Sequence, residues 1–154
     1  MALTLTSTAF ESEGMIPAQY TCDGADVSPP LAWSHVPAGT ETLVLIVDDP
    51  DAPGGTWVHW VLFNIPSYVE KLDEGIPALN QLKNGAQHGI TDFRNIGYGG
   101  PCPSSGTHRY DFKLYALDTE LNLKPGCIKR DAVNAMQGHI LGEAVLMGTY
   151  KRAQ

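Results

Sequence analysis

Thr42–Ile65, TLVLIVDDPDAPGGTWVHWVLFNI, is the stretch on which the fold turns. Its two ends, Thr42–Asp48 and Thr56–Ile65, are apolar, β-branched and aromatic, and neither alternates cleanly between apolar and polar residues. A strand with one wet face alternates with a period of two, whereas a strand covered on both faces reads as a nearly continuous apolar run. Both runs are therefore predicted to be strands inside a sheet with a layer on either side. Pro50 and Pro53 lie between them and prevent the first strand from continuing, because proline offers no N–H to a ladder.

A third run, His108–Leu117 (HRYDFKLYAL), does alternate. His108, Tyr110, Phe112, Leu114 and Ala116 share one face, predicted to be the core face, and Arg109, Asp111, Lys113 and Tyr115 share the other. Weaker strands are expected over Met1–Thr6 and Val145–Lys151. Helix is scarce. Asp131–Leu141 is the best candidate, with Asp131 at its N-cap, and Tyr68–Glu74 is expected to form a single turn. With 16 Gly and 11 Pro, about one residue in six interrupts regular structure, which points to short strands joined by long turns. No repeat or linker composition divides the chain, so residues 1–154 are read as one domain, mostly β.

Composition narrows the function. Seventeen Asp+Glu against ten Lys+Arg give a net charge of −7, which argues against a broad nucleic-acid or anionic-membrane surface, since those partners are held by basic stripes. The longest apolar run, Leu43–Val47, is far short of the roughly 20 residues of a membrane span, and the first residues lack the pattern of a secretory signal. The expectation is a cytoplasmic protein. Cys22, Cys102 and Cys127 show no CxxC spacing and are read as three reduced thiols.

Four features can carry chemistry. Asp48, Asp49 and Asp51 form an acidic turn at the end of a strand, where carboxylates can cap, bind a metal or orient a histidine. His59 interrupts an apolar strand, and a buried imidazole needs partners, at a cost on the order of 1–3 kcal/mol if it has none. His108 and Tyr110 stand at the rim of the core. Directly before them runs a Gly- and Pro-rich loop, Ile90–Thr107, whose length in so small a domain suggests function. Apolar walls with a few converging polar tips make a binding pocket. His35, His88 and His139 lack such context and are read as surface or structural residues. The cluster admits three readings: an anion site of imidazoles and loop N–H groups; a metal triad of Asp49, His59 and His108; or a hydrolase using Ser104 or Ser105 with a histidine. No GxSxG elbow, HExxH or P-loop accompanies the last two.

DGADVSPPLAW, DDPDAPGGTWVHWVLFNIP, GYGGPCPSSGTHRYDFKLYALD and GHILGEAVLMGTYKR together resemble the phosphatidylethanolamine-binding protein family, which includes the Raf kinase inhibitor proteins, in its shorter prokaryotic branch. DPDAP followed by W-x-H and then GP…G-x-HRY is the specific part. The resemblance implies a central antiparallel sheet packed against a smaller sheet with few flanking helices, and a shallow pocket for phosphate-like anions or phosphorylethanolamine head groups. By motif, that pocket would take Asp49, Asp51, Trp57, His59, Gly100, Pro101, His108 and Tyr110, with no metal and no cofactor. It implies a non-enzymatic binding or regulatory module, with a protein kinase or protease as a conceivable partner and a homodimer as one conceivable assembly. The chain departs from the longer eukaryotic members in reading Gly100-Pro101-Cys102 where they have GPP, and in lacking their C-terminal helix. An anion beside Asp49 would meet a carboxylate, so an imidazole must donate to it, or a zwitterionic ligand must turn its ammonium towards the aspartate. Arg109, on the opposite face from His108 and Tyr110, is expected to make a structural ion pair.

Overall fold

The apolar runs become the two central strands of a five-stranded antiparallel sheet in a computed structural model that describes residues 1–153. Strand β1 spans Thr4–Thr6, β2 Leu31–Ser34, β3 Thr42–Asp49, β4 Trp57–Pro66, β5 Lys71–Leu72, β6 Gln87–His88, β7 His108–Leu117 and β8 Ile140–Tyr150; the single α-helix among the described residues, α1, spans Lys129–Met136. The large sheet has the order β6-β4-β3-β7-β8, and a small sheet has the order β1-β2-β5. Leu43, Leu45 and Val47 of β3 point towards the small sheet and pack with Leu5, Leu31 and Trp33, while Val44 and Ile46 point the other way and pack with Ala132 and Met136 of α1. Every residue of β3 is buried. That double coverage explains why β3 carries no polar alternation.

Strand β4 breaks alternation for a second reason. Its register against β3 shifts twice, between Leu43 and Leu45 and between Val47 and Asp48. At the first shift Asn64 takes a left-handed backbone (φ 55°), and its side chain accepts from Leu121 N–H at 2.8 Å and donates to Leu121 O at 2.9 Å. At the second, Val47 pairs with Trp60 and Asp48 with Val58, so His59 is the extra residue of a β-bulge. A bulge re-aims a side chain. Val58 packs on the helix side, while His59 and Trp60, consecutive in sequence, both face the side of Tyr110 and Tyr98.

Strand β7 occupies the predicted His108–Leu117, with its predicted face buried. Three local expectations are corrected. The helix begins at Lys129 and ends at Met136 rather than running over Asp131–Leu141; Gly138 (φ 82°) turns the chain, and Ile140 and Leu141 open β8. Asp131 lies in the first turn, where its carboxylate accepts from Ile128 N–H at 3.4 Å. Tyr68–Glu74 forms no helical turn, because Lys71 and Leu72 pair with Ala32 and Leu31 and tertiary pairing overrides local preference. Finally, Cys22 and Cys102 form a disulfide with Cα atoms 5.4 Å apart, leaving Cys127 free. Eighty positions separate the pair in sequence, so only the folded chain brings them within bridging distance. Three reduced thiols no longer support the cytoplasmic expectation. No helix among the described residues is long and apolar enough to cross a membrane.

Candidate functional site

Because the sheet is antiparallel, the C-terminal end of β3 and the N-terminal ends of β4 and β7 meet at one edge. A cavity of about 300 Å³ opens there, lined by Asp49, Trp57, His59, His108 and Tyr110 together with Ala52, Pro53, Phe93, Cys102, Pro103 and Ser104. Five of the residues singled out in the sequence are thus brought together.

Alternation sorts the acidic turn. Asp48 faces the helix side, buried, where its carboxylate accepts from Lys129 Nζ at 2.6 Å and lies 3.5 Å from Lys113 Nζ. Asp49 faces the cavity, and His108 Nδ1–H donates to its Oδ2 at 2.6 Å. The other Asp49 oxygen accepts from Asp51 N–H at 2.7 Å. Asp51 turns away, correcting its placement in the pocket: Arg109 donates to it from Nε at 2.9 Å and from the second guanidinium nitrogen at 2.8 Å, the fork geometry of a bidentate pair. That guanidinium, with the Arg109 backbone N–H, brings the Asp51 carboxyl down to about 2. Arg109 makes the structural pair expected of it.

His59 is only 3% exposed, and its Nδ1–H donates to Gly99 O at 2.6 Å. A carbonyl can only accept, so the proton sits on Nδ1 and the neutral ring presents Nε2 to the cavity as an acceptor. Burial holds this imidazole below its ordinary pKa, against the pull of the Gly99 carbonyl and of nearby aspartates. In His108 the Asp49 bond fixes Nδ1 in the same way and leaves Nε2 as the atom without a protein partner. Tyr110 stands between the two rings, 5.2 Å from His59 and 6.4 Å from His108 by centroid. Its hydroxyl is buried and has no hydrogen-bond partner among the described residues. Burial with Asp49 and Asp51 nearby raises the phenol far above its ordinary pKa, so it keeps its proton and remains a donor.

The loop before β7 is ordered by β4 and by the 22–26 segment. Gly99 N–H donates to His59 O at 2.9 Å, Gly100 N–H to Asp26 Oδ1 at 2.8 Å, and Cys22 N–H to Pro101 O at 3.1 Å. A side chain on Gly100 would collide with the Tyr20 carbonyl and the Asp26 carboxylate. Gly100 borders a neighbouring cavity and Pro101 is in the lining of neither, so neither lines the cavity in which motif placed them. The residue that sequence reading missed is Phe93. Its ring stacks edge-on against Trp57 at 5.5 Å and His59 at 5.1 Å and forms one wall. Its position as one of two aromatics, with Tyr98, in a Gly- and Pro-rich loop was the available signal.

The alternatives fare unequally. Asp49, His59 and His108 do not converge as a metal-binding set, nor does any other group of three His, Cys, Asp or Glu among the described residues. Asp49 and His108 are the arrangement of an oriented base, and Ser104 lines the same cavity. No hydrogen bond joins Ser104 or Ser105 to either histidine, as an activated nucleophile would require. His88, read as a surface or structural residue, is fully buried and structural: Trp60 Nε1–H donates to its Nε2 at 3.0 Å and its Nδ1–H donates to Leu79 O at 2.6 Å.

The geometry has close counterparts. A crystal structure of a phosphatidylethanolamine-binding protein homolog from Chlamydia trachomatis superposes with a TM-score of 0.91 at 43% identity, covering 99% of both chains. That of Escherichia coli YbcL, described as a new member of the mammalian family, gives 0.90 at 30% identity over 99% of this chain and 100% of the other. A UPF0098 protein of Methanothermobacter thermautotrophicus is 52% identical over 150 residues, 97% of this chain and 99% of its own, and one of Aquifex aeolicus is 48% identical over 95% of this chain and 86% of its own. The family model for phosphatidylethanolamine-binding protein matches residues 6–151, and the chain belongs to that family.

Proposed function

We propose that the cavity at the β3–β4–β7 edge binds a small phosphate-like anion, such as the phosphoryl group of a head group, and that the protein acts by binding rather than by turnover. The observation that carries this reading is the Tyr110 hydroxyl, a buried donor with no partner among the described residues, in the lining of a cavity that also holds two imidazole Nε2 atoms. Buried donors without partners cost about 1–3 kcal/mol, and a bound oxyanion recovers that cost. Asp49 keeps its charge, and the bonds its oxygens accept from His108 Nδ1–H and Asp51 N–H turn its lone pairs towards those donors and weaken its repulsion of the anion.

A singly protonated phosphoryl group suits the donors and acceptors present. Its P–OH donates to neutral His59 Nε2, while an oxygen accepts from Tyr110 and, when that ring is protonated, from His108 Nε2. Apolar walls from Trp57, Phe93 and Pro103 lower the dielectric around these bonds. Binding then favours the singly protonated ligand over its dianion and weakens as pH rises past the second phosphate pKa of about 6. The test is titration of the histidine-labelled protein with inorganic phosphate and with ethanolamine, followed by NMR. Phosphate is expected to move the His59 and His108 ring resonances, and ethanolamine to move them less; unchanged spectra at millimolar phosphate defeat the reading.

A further inference from the structure

Two cavities, not one, open at this edge, and the Cys22–Cys102 bridge lies between them. Cys102 is in the lining of both, whereas Cys22 lines only the second, a space of about 210 Å³ that also takes in Asp26 and Tyr98. Cys102 is exposed and Cys22 half-buried. One end of the disulfide is therefore open to a small molecule that has entered the first cavity.

A thiolate attacks a disulfide along the S–S axis, bonding to one sulfur and expelling the other, so access decides which cysteine is modified. From the first cavity the attacking atom meets Cys102, with Cys22 behind it as the leaving group. The same cavity selects the thiol. Tyr110 offers an unpartnered hydroxyl, joined by His108 Nε2 when that ring is protonated, so a carboxylate, sulfonate or phosphoryl group on the thiol finds donors there. Trp57, Phe93 and Pro103 receive its carbon chain. On the other side, Asp26 lines the second cavity and Asp23 adjoins Cys22 in sequence, which turns an anion away from Cys22.

Building on the anion reading of the first cavity, we infer that Cys102 is a site of covalent modification by small anionic thiols, which open the bridge from within that cavity. The thiolate forms an S–S bond with Cys102 Sγ, the Cys102–Cys22 bond breaks, and Cys22 leaves as a thiolate that takes a proton from water. One disulfide replaces another, and the thiol is the only co-reactant. Attack of Cys22 back on Cys102 expels the thiol and restores the bridge, so the modification is reversible. While it lasts, the adduct fills the anion site, and phosphate binding is excluded.

The experiment has two arms. In the first, oxidised wild type meets an excess of 2-mercaptoethanesulfonate, 2-mercaptoethanol or 2-mercaptoethylamine, and early samples are quenched in acid, alkylated and mapped as peptides. The sulfonate is expected on Cys102, with Cys22 alkylated; equal adducts on the two, or an excess on Cys22, overturn the inference. In the second, Cys22→Ser/Cys127→Ser leaves Cys102 as the only thiol, and its mixed-disulfide equilibrium with the disulfide of each reagent is measured folded and in urea, which cancels the intrinsic chemistry of the reagents. Folding is expected to favour the sulfonate adduct over the neutral one by about three- to ten-fold, the worth of one hydrogen bond, and Tyr110→Phe to bring that ratio towards one. A net charge of −7 acting alone gives the reverse order, with the amine first. That reverse order, no effect of folding, or phosphate shifts of His59 and His108 that survive in the sulfonate adduct each overturn the inference. Phosphate shifts in the unmodified protein then leave the anion site standing, and their absence defeats both readings. Should the double variant fail to fold, wild-type mapping decides: the bias towards Cys102 is greater for the sulfonate than for the amine, or the inference is wrong.

Discussion

Reduction of the Cys22–Cys102 bridge separates the stability of the fold from the integrity of the site. The bridge closes a loop of sequence separation 80. In the chain-entropy description, a cross-link of that span removes about 4.5 kcal/mol of freedom from the unfolded chain. For a domain of this size each kcal/mol moves Tm by roughly 2–4 °C, so reduction or the double substitution Cys22→Ser/Cys102→Ser should lower Tm by about 9–18 °C. The native cavity should persist, since Gly100 N–H to Asp26, Cys22 N–H to Pro101 O and Gly99 N–H to His59 O hold the loop without the sulfurs. Calorimetric scans with and without reductant, paired with phosphate titration at 25 °C, check both halves. A Tm change below about 3 °C would refute the entropic argument, and loss of phosphate binding in the folded, reduced protein would refute the claim that hydrogen bonds alone position the loop.

Other perturbations address single groups. Tyr110→Phe removes an unpaired buried hydroxyl, so it should raise urea stability by about 1–3 kcal/mol while weakening phosphate binding roughly three- to ten-fold, the worth of about one hydrogen bond; undiminished binding in calorimetry would remove Tyr110 from the site. Burial holds His59 and His88 below the ordinary value of 6.5, so the unfolded chain takes up protons first. Stability should be flat above pH 6.5 and fall below it by up to about 1.4 kcal/mol per pH unit for each histidine, measured as urea midpoints from pH 8 to 5. The Asp51–Arg109 pair is partly exposed, with side-chain accessibilities of 29% and 56%, and solvent screening limits it to about 1 kcal/mol. Because the folded Asp51 carboxyl sits at about 2, that stabilisation is complete above its ordinary 3.8 and lost as pH falls through 2. Asp51→Asn should cost about 1 kcal/mol in urea unfolding at pH 7 and change phosphate affinity less than two-fold, because Asp51 lies outside the cavity lining.

What could be read in advance follows from which interactions are local. The faces of β7 were legible because alternation is a property of consecutive residues, and burial of β3 because an uninterrupted apolar run needs two covered faces. Motif resemblance then placed Asp49, Trp57, His59, His108 and Tyr110 at one site, and the fold brings these five together. The aim of His59 was not legible: it depends on a bulge, and the bulge exists only in the pairing of β4 with β3. The same holds for Phe93, whose loop takes its course from bonds to β4 and to the 18–26 segment, and for the cysteines, joined across 80 positions. His88 lies in a two-residue strand, and its burial is set by Trp60 and the Leu79 carbonyl, which no local pattern announces.

The acidic turn changes meaning once its partners are known. Read as a sequence, Asp48, Asp49 and Asp51 on a chain of net charge −7 argue against a broad polyanion-binding surface and set a carboxylate beside any small anion at this edge. In the fold each carboxylate is matched by a base from a different place: Asp48 by Lys113 and Lys129, Asp49 by His108, and Asp51 by Arg109. Strand alternation makes that matching possible, because His108 and Arg109 are adjacent yet point to opposite sides, and so do Asp48 and Asp49. Within the first cavity an anion therefore meets two imidazoles, a protonated phenol and a carboxylate already engaged on both oxygens. Beyond the rim it meets the unneutralised charge of the whole surface, which repels a polyanion over its full length but a single phosphoryl group only through screened solvent, over a Debye length of about 8 Å. Net charge thus limits the size of an anionic partner, and the pairing of the aspartates decides whether a small one can enter.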